Sequence, residues 1–362
     1  MTTDKYIYLL LRLALRNRAA DLQYSLQVDW TDVNWQHLYD VAKAQGVLAI
    51  VFDGIKRVMV ERGDNSLGMP RSLKMRWLSV VDSIEKKNTS QRRAVEYIAT
   101  ACEKCDLHVM TFKGLSLARF YPEPLHRECG DIDLYALGGR HKDLNRLITD
   151  LGGTIIHSSA KHSEIKLRSV MIESHNYFVY RYLSKRAKTV NSRLVDSISS
   201  IEPYGEHNSL YYPNSEFDTL FVIYHAANHF KFEGISLRHI IDWCYIVQRA
   251  GCDLSQLTGY GLERFSAVLC RIGKHSLGFD LPEHLCCCDD KTYNRVLSDI
   301  IGSNVGKDDE KVSPLTVLRR KAVRFFSRHW AYSLVGDSFF GGVVNSVIAH
   351  IAEPMAIFRG NK

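Results

Sequence analysis

Between two long tracts of helical periodicity, residues 106 to about 182 abandon the 3.6-residue repeat. "LHVMTF" at 107–112 is a short apolar run of strand length, and "KGLSLARFY" turns into a short helix. Pro122 and Pro124 enforce a loop, "DIDLYAL" at 131–137 is a second strand, and "RHKDLNRLITDLG" is an amphipathic helix closed by Gly152. "TIIHSS", "SEIKLRS" and "VMIESHNYFVY" add three β-prone pieces. Upstream, a Thr31/Asp32 start signal opens one helical tract, and a second runs from near Ser72 to about Cys105 with "EKKNTSQRR" on its wet face. Downstream, the helical period returns from about Ser215, with Gly234 and Gly251 as stops. The expected class is α+β: a small mixed β-sheet core flanked by N-terminal and C-terminal helical regions. The expected division is 1–105 helical, 106–205 α/β core, 206–280 helical and packed on the core, and 281–362 helical and basic.

One feature of the second strand needs an explanation. Asp131 and Asp133 are two apart, so on a strand they project to the same side while Ile132 and Leu134 face the core. Two carboxylates side by side repel each other and are costly to desolvate, and a divalent cation is the usual compensation. Magnesium (or manganese) suits such a pair, because it takes the rest of its shell from water and substrate phosphates. Gly114 and Ser116 lie at the preceding strand-to-helix turn, where backbone N–H groups and a hydroxyl can hold phosphate. Glu173 in "MIESH" sits on a later strand that can lie beside "DIDLY" and supply a third carboxylate, with Glu164 in "HSEIKL" as its competitor. Three acids and a phosphate-holding turn are the minimum for moving a nucleotidyl group: one metal ion activates an attacking hydroxyl while another neutralises the leaving pyrophosphate.

The order "KGLSLARFYPEPLHRECGDIDLY" followed by "IESH" resembles the DNA polymerase β-like nucleotidyltransferase superfamily. More narrowly, it is similar to a bacterial branch described as uncharacterised nucleotidyltransferases. The matching residues are Lys113 and Gly114, Arg127, Asp131 and Asp133, Glu173 and His175, His225 and His229, and Asp242, within a resemblance spanning roughly residues 30 to 250. The resemblance implies that Asp131 and Asp133 bind the metal ions, that Glu173 completes the site, and that Gly114 and Ser116 hold a nucleoside triphosphate. It departs from the superfamily at Leu115, where many members have a second small residue. It leaves the acceptor open among small molecules, proteins and RNA, the first two being favoured. Two alternatives to that enzyme are a non-catalytic nucleotide- or RNA-binding protein of the same fold and a toxin that modifies transfer RNA.

Other residues carry weaker signals. Lys113 either contacts a phosphate or ends its strand in solvent, and Arg127 either balances the acidic cluster, reaches the γ-phosphate or lies idle on the surface. His225 and His229 have the H-x-x-x-H spacing, but Ala226 stands where a metalloprotease needs glutamate and no third zinc ligand is evident. A structural pair is the commoner reading; with His175 they are also candidate acceptor-pocket residues. Asp242 is expected to be partly buried and paired with Arg238 or a histidine. Arg319, Arg320, Lys321, Arg324 and Arg328 stand among aromatics in a basic tail, which is either a solvated face or an RNA-binding one.

Composition excludes rather than selects. At 362 residues, 46% of them hydrophobic, the chain can bury a real core, and a net charge of +7 permits an anionic partner without requiring one. The nine cysteines, with "CCC" at 286–288 and one C-x-x-C at Cys102 and Cys105, read as reduced thiols and not as a disulfide or zinc framework. The apolar start is broken by Arg12, Arg16 and Arg18, and the apolar stretch near the end by Asp337, Asn345, His350 and Glu353. Neither reads as a signal peptide or membrane span, so a cytoplasmic location is expected.

Overall fold

The structure, a computed structural model, describes residues 3–16, 18–179, 184–199, 201, 203–205, 207–302, 323, 326–342 and 344. Five helices come first: α1 (Thr3–Arg16), α2 (Ala19–Gln27), α3 (Trp35–Ala44), α4 (Leu48–Arg62) and α5 (Arg71–Glu103). The side chains of Leu9, Leu10 and Leu13 on α1 and of Val51, Ile55 and Val58 on α4 are fully removed from water. These two helices touch backbone to backbone at Gly54, where an added Cβ would sit 2.2 Å from the Leu10 carbonyl oxygen. Gly54→Ala must push the helices apart, and urea unfolding is expected to show a loss of about 1–3 kcal/mol.

At 33 residues, α5 is about 50 Å long and lies under the sheet as its main support. After it come β1 (Val109–Phe112), α6 (Gly114–Ala118), β2 (Ile132–Ala136), α7 (His141–Asp150), β3 (Thr154–Ser158), β4 (His162–Leu167), β5 (Val170–His175), α8 (Lys185–Ser197), β6 (Pro203–Tyr204) and β7 (His207–Tyr211). The seven strands form one mixed sheet in the order β3-β4-β5-β2-β1-β7-β6. β2 runs antiparallel to β1 and parallel to β5, and β7 runs parallel to β1. The fold is α+β. The last pair of strands extends the sheet to Tyr211, past the expected core boundary at 205, through an α8 crossover that the residue pattern did not announce.

Strand alternation sorts side chains between two cores. Val109, Ile132, Leu134, Ile165 and Ile172 pack with Val95, Ile98 and Cys102 of α5 and with Leu144 and Ile148 of α7. On the other face, Met110, Phe112 and Tyr135 meet α9 (Ser215–Phe232), whose Phe217, Leu220, Phe221 and Ile223 join the larger cluster. That cluster runs without a break from α1 to α10 (Leu237–Arg249), α11 (Glu263–His275), α12 (Asp290–Gly302) and α13 (His329–Leu334). The helical regions before and after the sheet therefore share one core.

Two sequence expectations are corrected here. Within "EKKNTSQRR", Asn88 and Gln91 are not wet: both are buried, and they tether the loop before β2. Asn88 donates to the Leu125 and Arg127 carbonyls at 2.6 and 2.9 Å, and Gln91 to that of Gly130 at 3.2 Å. In the basic tail, Arg328 is buried, pairing bidentately with Asp299 at 2.6 and 2.7 Å and donating to the Phe230 carbonyl. Arg319, Arg320, Lys321 and Arg324, like Asn345, His350 and Glu353, lie outside the described residues. Among the described residues all nine cysteines are free thiols, and no helix is long and apolar enough to cross a membrane.

The loop before β2 has a second anchor. His126 is buried between α4 and α5, its Nδ1 2.5 Å from Asp53 and its Nε2 2.7 Å from Glu85. Burial alone would lower its pKa, but hydrogen bonds to the two carboxylates overcome that and raise it. A raised histidine contributes stability that is complete below its unfolded value and is lost as pH rises through its folded value. The stability gap between the native chain and His126→Gln is expected to be about 1–2 kcal/mol at pH 6, Glu85 being partly exposed, and to close towards pH 9.

Candidate active site

The sheet face turned towards α9 carries the acidic residues. Asp133 on β2 stands in register with Glu173 on the parallel β5, and Asp131 precedes β2 on the same side. All three line a cavity of about 530 Å³ between the sheet and helices α9 and α10. Glu164 stands opposite Glu173 on β4, one strand farther out, and does not line it. Leu115 points into the α5-side core with Cys129, leaving Gly114 at the cavity wall. Ser116 is fully buried, its Oγ has no partner, and it lies away from the cavity.

Lys113 occupies the turn between β1 and α6 with a φ of 54°, a conformation that side chains other than glycine adopt at a cost of about 1–3 kcal/mol. Its ammonium lies 2.5 Å from Asp133 Oδ1 and 4.0 Å from Glu173 Oε2, so it ends its strand on the carboxylates and not in solvent. His175 is wholly buried beneath the cavity. Its Nε2 lies 2.9 Å from Asp133 and 3.2 Å from Glu173, bridging the two acids. It therefore supports them from below and is absent from the cavity lining.

The electrostatics are unbalanced. Burial, then the charges of Asp133 and Glu173, push the Asp131 carboxyl up to about 7. Burial also opposes ionisation of Glu173, but the His175 hydrogen bond and the Lys113 ammonium outweigh it and hold that carboxyl well below the usual range. Lys113 is raised despite its burial, by Asp133, Glu173 and Asp131. Lys113 is the ammonium in contact with the acidic cluster, and Asp131, crowded by the other two carboxylates, holds its proton to near neutrality.

Sequence reasoning missed Lys161 and His162, which enter the cavity from the start of β4. The signal was the hairpin register, which sets His162 opposite His175. Burial and the neighbouring Lys113 bring Lys161 down to about 8; burial brings His162 down to about 4 against the pull of Glu173. The ligand atoms of His162, Glu173 and His175 all lie within 4.8 Å of one another, the set among the described residues with that spacing. The aspartates are not in it; Lys113 stands on Asp133, and His175 is already committed to both Asp133 and Glu173.

From the opposite wall, α9 presents His225 and His229, their rings 4.5 Å apart. A third imidazole absent from the sequence expectation, His239 of α10, lies 5.8 Å from His229. Burial and neighbouring positive groups hold His225 and His239 well below the usual histidine range, so they are uncharged at neutral pH. Asp242 does not pair with Arg238 or a histidine. It takes a two-pronged ion pair from Arg127, at 2.8 and 2.7 Å, and a hydrogen bond from Tyr121 at 2.7 Å. Arg238 instead donates to the Glu128 carbonyl at 2.7 Å and lines the cavity.

The sequence profile of a family described as "Uncharacterised nucleotidyltransferase" matches residues 31–272, a span that contains every residue of this cavity. The chain belongs to that nucleotidyltransferase family. The structure is also similar to the solution structure of the antibiotic-resistance factor ANT(2'')-Ia, with a TM-score of 0.36 and 14% sequence identity over 47% of this chain and 88% of that one. No curated protein matches the sequence. For a nucleotidyltransferase the substrate includes a nucleotide, and the cavity is concave, polar on one side and within the volume range of small-molecule sites.

Proposed function

We propose that this nucleotidyltransferase moves a nucleoside monophosphate from a nucleoside triphosphate to the hydroxyl of an acceptor, with Asp131, Asp133 and Glu173 holding two magnesium (or manganese) ions. The observation that carries this reading is the set of three carboxylates brought together by adjacent strands, Asp133 buried and the other two partly so, with Asp131 raised to about 7 by burial and by the charges of Asp133 and Glu173. The donor set fits: carboxylate oxygens at the edge of an open cavity match a hard cation that keeps water and phosphate ligands. When bound, the ions supply Lewis-acid polarisation of the phosphate and lower the pKa of the attacking hydroxyl.

The chain's own residues do the rest. Lys113, Gly114 and Arg238 line the side of the cavity that receives the triphosphate. Lys113 is the mobile charge, free to move from Asp133 to phosphate once the acids are otherwise neutralised. Arg127, tied to Asp242, holds the loop that aims Asp131 and leaves phosphate to others. His175 fixes the orientation of Asp133 and Glu173. Ionised Glu173 accepts a hydrogen bond from the incoming hydroxyl. In the transfer the hydroxyl oxygen bonds to Pα, the bond from Pα to its bridging oxygen breaks, and pyrophosphate leaves with that electron pair. The proton passes through Glu173 to water.

The test is incubation of the full chain with magnesium, each of four α-labelled nucleoside triphosphates and a cell extract, alongside Asp131→Asn/Asp133→Asn. Label on a protein, RNA or small-molecule fraction, dependent on both aspartates, supports the reading and names the acceptor class. No transfer together with no magnesium-dependent nucleotide binding overturns it.

A further inference from the structure

The main cavity continues into a second one of about 260 Å³ that shares Lys161, Phe221, His225 and His229 with it. Its character is different. Phe178 and Val179, which follow β5, and Phe221, Tyr224 and Phe232 of α9 line it, so its walls are largely aromatic. Beyond the shared Lys161, its ionisable lining among the described residues consists of the Tyr224 phenol, two imidazoles and Glu233, the carboxylate of which lies 3.5 Å from His229 Nδ1. His225 is held uncharged by burial and neighbouring positive groups. Phe232, 39% exposed, leaves the lobe open at its outer end.

We propose that this lobe is the acceptor subsite, and that the acceptor is a small molecule, neutral or cationic, that presents a flat aromatic ring to the lobe and a hydroxyl to the carboxylates. The inference rests on the nucleotidyl-transfer reading above and narrows its acceptor. Charge separates the two lobes. Lys113 and Arg238 line the larger one beside the carboxylates proposed to hold the ions, whereas among the described residues the smaller holds one acid and no cation beyond the shared lysine, so the triphosphate belongs in the former. Size agrees: about 530 Å³ lies inside the range for drug-sized ligands, roughly 300–1,000 Å³, and about 260 Å³ falls just below it, room for one ring system and no macromolecule. The walls select the shape, because aromatic side chains reward a flat ring by offset or edge contacts, and an aliphatic polyol gains little from them. The junction sets the path: the two cavities meet at Lys161, Phe221, His225 and His229, so a ring in the lobe must carry its hydroxyl towards the acids on a short arm.

The experiment is calorimetric titration of the full chain, in magnesium with a non-hydrolysable nucleoside triphosphate analogue, with tryptophol, a flat indole bearing a hydroxyethyl arm. Phe232→Ala, at the open end of the lobe, and Asn228→Trp, which fills it, are titrated in parallel. Saturable tryptophol binding, weakened tenfold or more in both variants with the analogue's affinity unchanged, is expected. Glucose, a ring-shaped polyol, should not bind. The proposal is overturned if tryptophol does not bind, if glucose binds in its place, or if both variants bind tryptophol like the native chain. It is also overturned if the variants weaken the analogue tenfold while leaving inorganic tripolyphosphate unaffected, since the lobe then holds the nucleobase. Failure of the underlying reading shows separately, as absence of magnesium-dependent tripolyphosphate binding in the native chain.

Discussion

Asp131→Asn is expected to lower nucleotidyl transfer roughly a thousandfold while making the metal-free protein more stable at pH 8. The two effects have one cause. Asp131 is half-buried beside two other carboxylates and holds its proton to about pH 7, against 3.8 when unperturbed. A carboxyl raised by folding contributes stability that is complete below its unfolded value and is lost as pH rises through its folded value. At pH 8 that contribution has been lost, and asparagine, with no charge to bury, avoids the cost. The expected gain is roughly 2 kcal/mol by urea unfolding at pH 8, vanishing near pH 4. Activity moves the other way: with Asp131 as one of the proposed metal ligands, its loss forfeits several kcal/mol of transition-state stabilisation, about tenfold in rate for each 1.4 kcal/mol. Magnesium titration of the native chain should show the complementary behaviour: a thermal stabilisation that grows from pH 5 to pH 8 and is missing in the variant. A variant that loses activity and stability together would mean that Asp131 is a structural acid.

The sequence disclosed most residues of the cavity wall, Asp131 and Asp133 on one strand and Lys113, Gly114, Glu173, His225 and His229 on others, and hid several of the tertiary contacts that position them. Asp131 and Asp133 were legible because the period of two fixes which side chains share a face. The seven-stranded sheet was legible from its β3 edge through β1 and was missed at the other edge. β6 and β7 are short, and the crossover through α8 has the composition of an ordinary polar helix. Asn88 and Gln91 were misplaced because polar side chains in a long helix normally face water; here they meet the carbonyls of a loop that has no strand partner. Lys161, His162 and His239 escaped because nothing local marks a residue whose role is set by the element it faces. The same applies to Asp242, whose partner Arg127 is separated from it by most of the sheet and by α9.

That pair should give the largest loss of stability of any single substitution near the cavity. Arg127 and Asp242 are both about 5% exposed, and their two-pronged contact joins the loop before β2 to α10. Burial would raise Asp242, but Arg127, with the Tyr121 hydroxyl, more than reverses this and holds it below the usual range. Asp242→Ala leaves a guanidinium in the interior with only carbonyl and thiol neighbours, Gly114, Glu128 and Cys129. The expected loss is about 3–5 kcal/mol by urea unfolding. The double variant Arg127→Met/Asp242→Leu should recover much of it, since removing both charges removes the desolvation penalty as well as the attraction. A coupling energy of at least about 1.5 kcal/mol in the double-mutant cycle is expected. The functional consequence follows from the loop. Arg127 lies four residues before Asp131, and its Nη1 also reaches the Gly114 carbonyl at 3.2 Å, so one side chain sets both the acidic strand and the turn opposite it. The double variant, though folded, should therefore bind magnesium and nucleotide more weakly than the native chain. Unchanged binding in that variant would show that the strands alone hold the carboxylates in place.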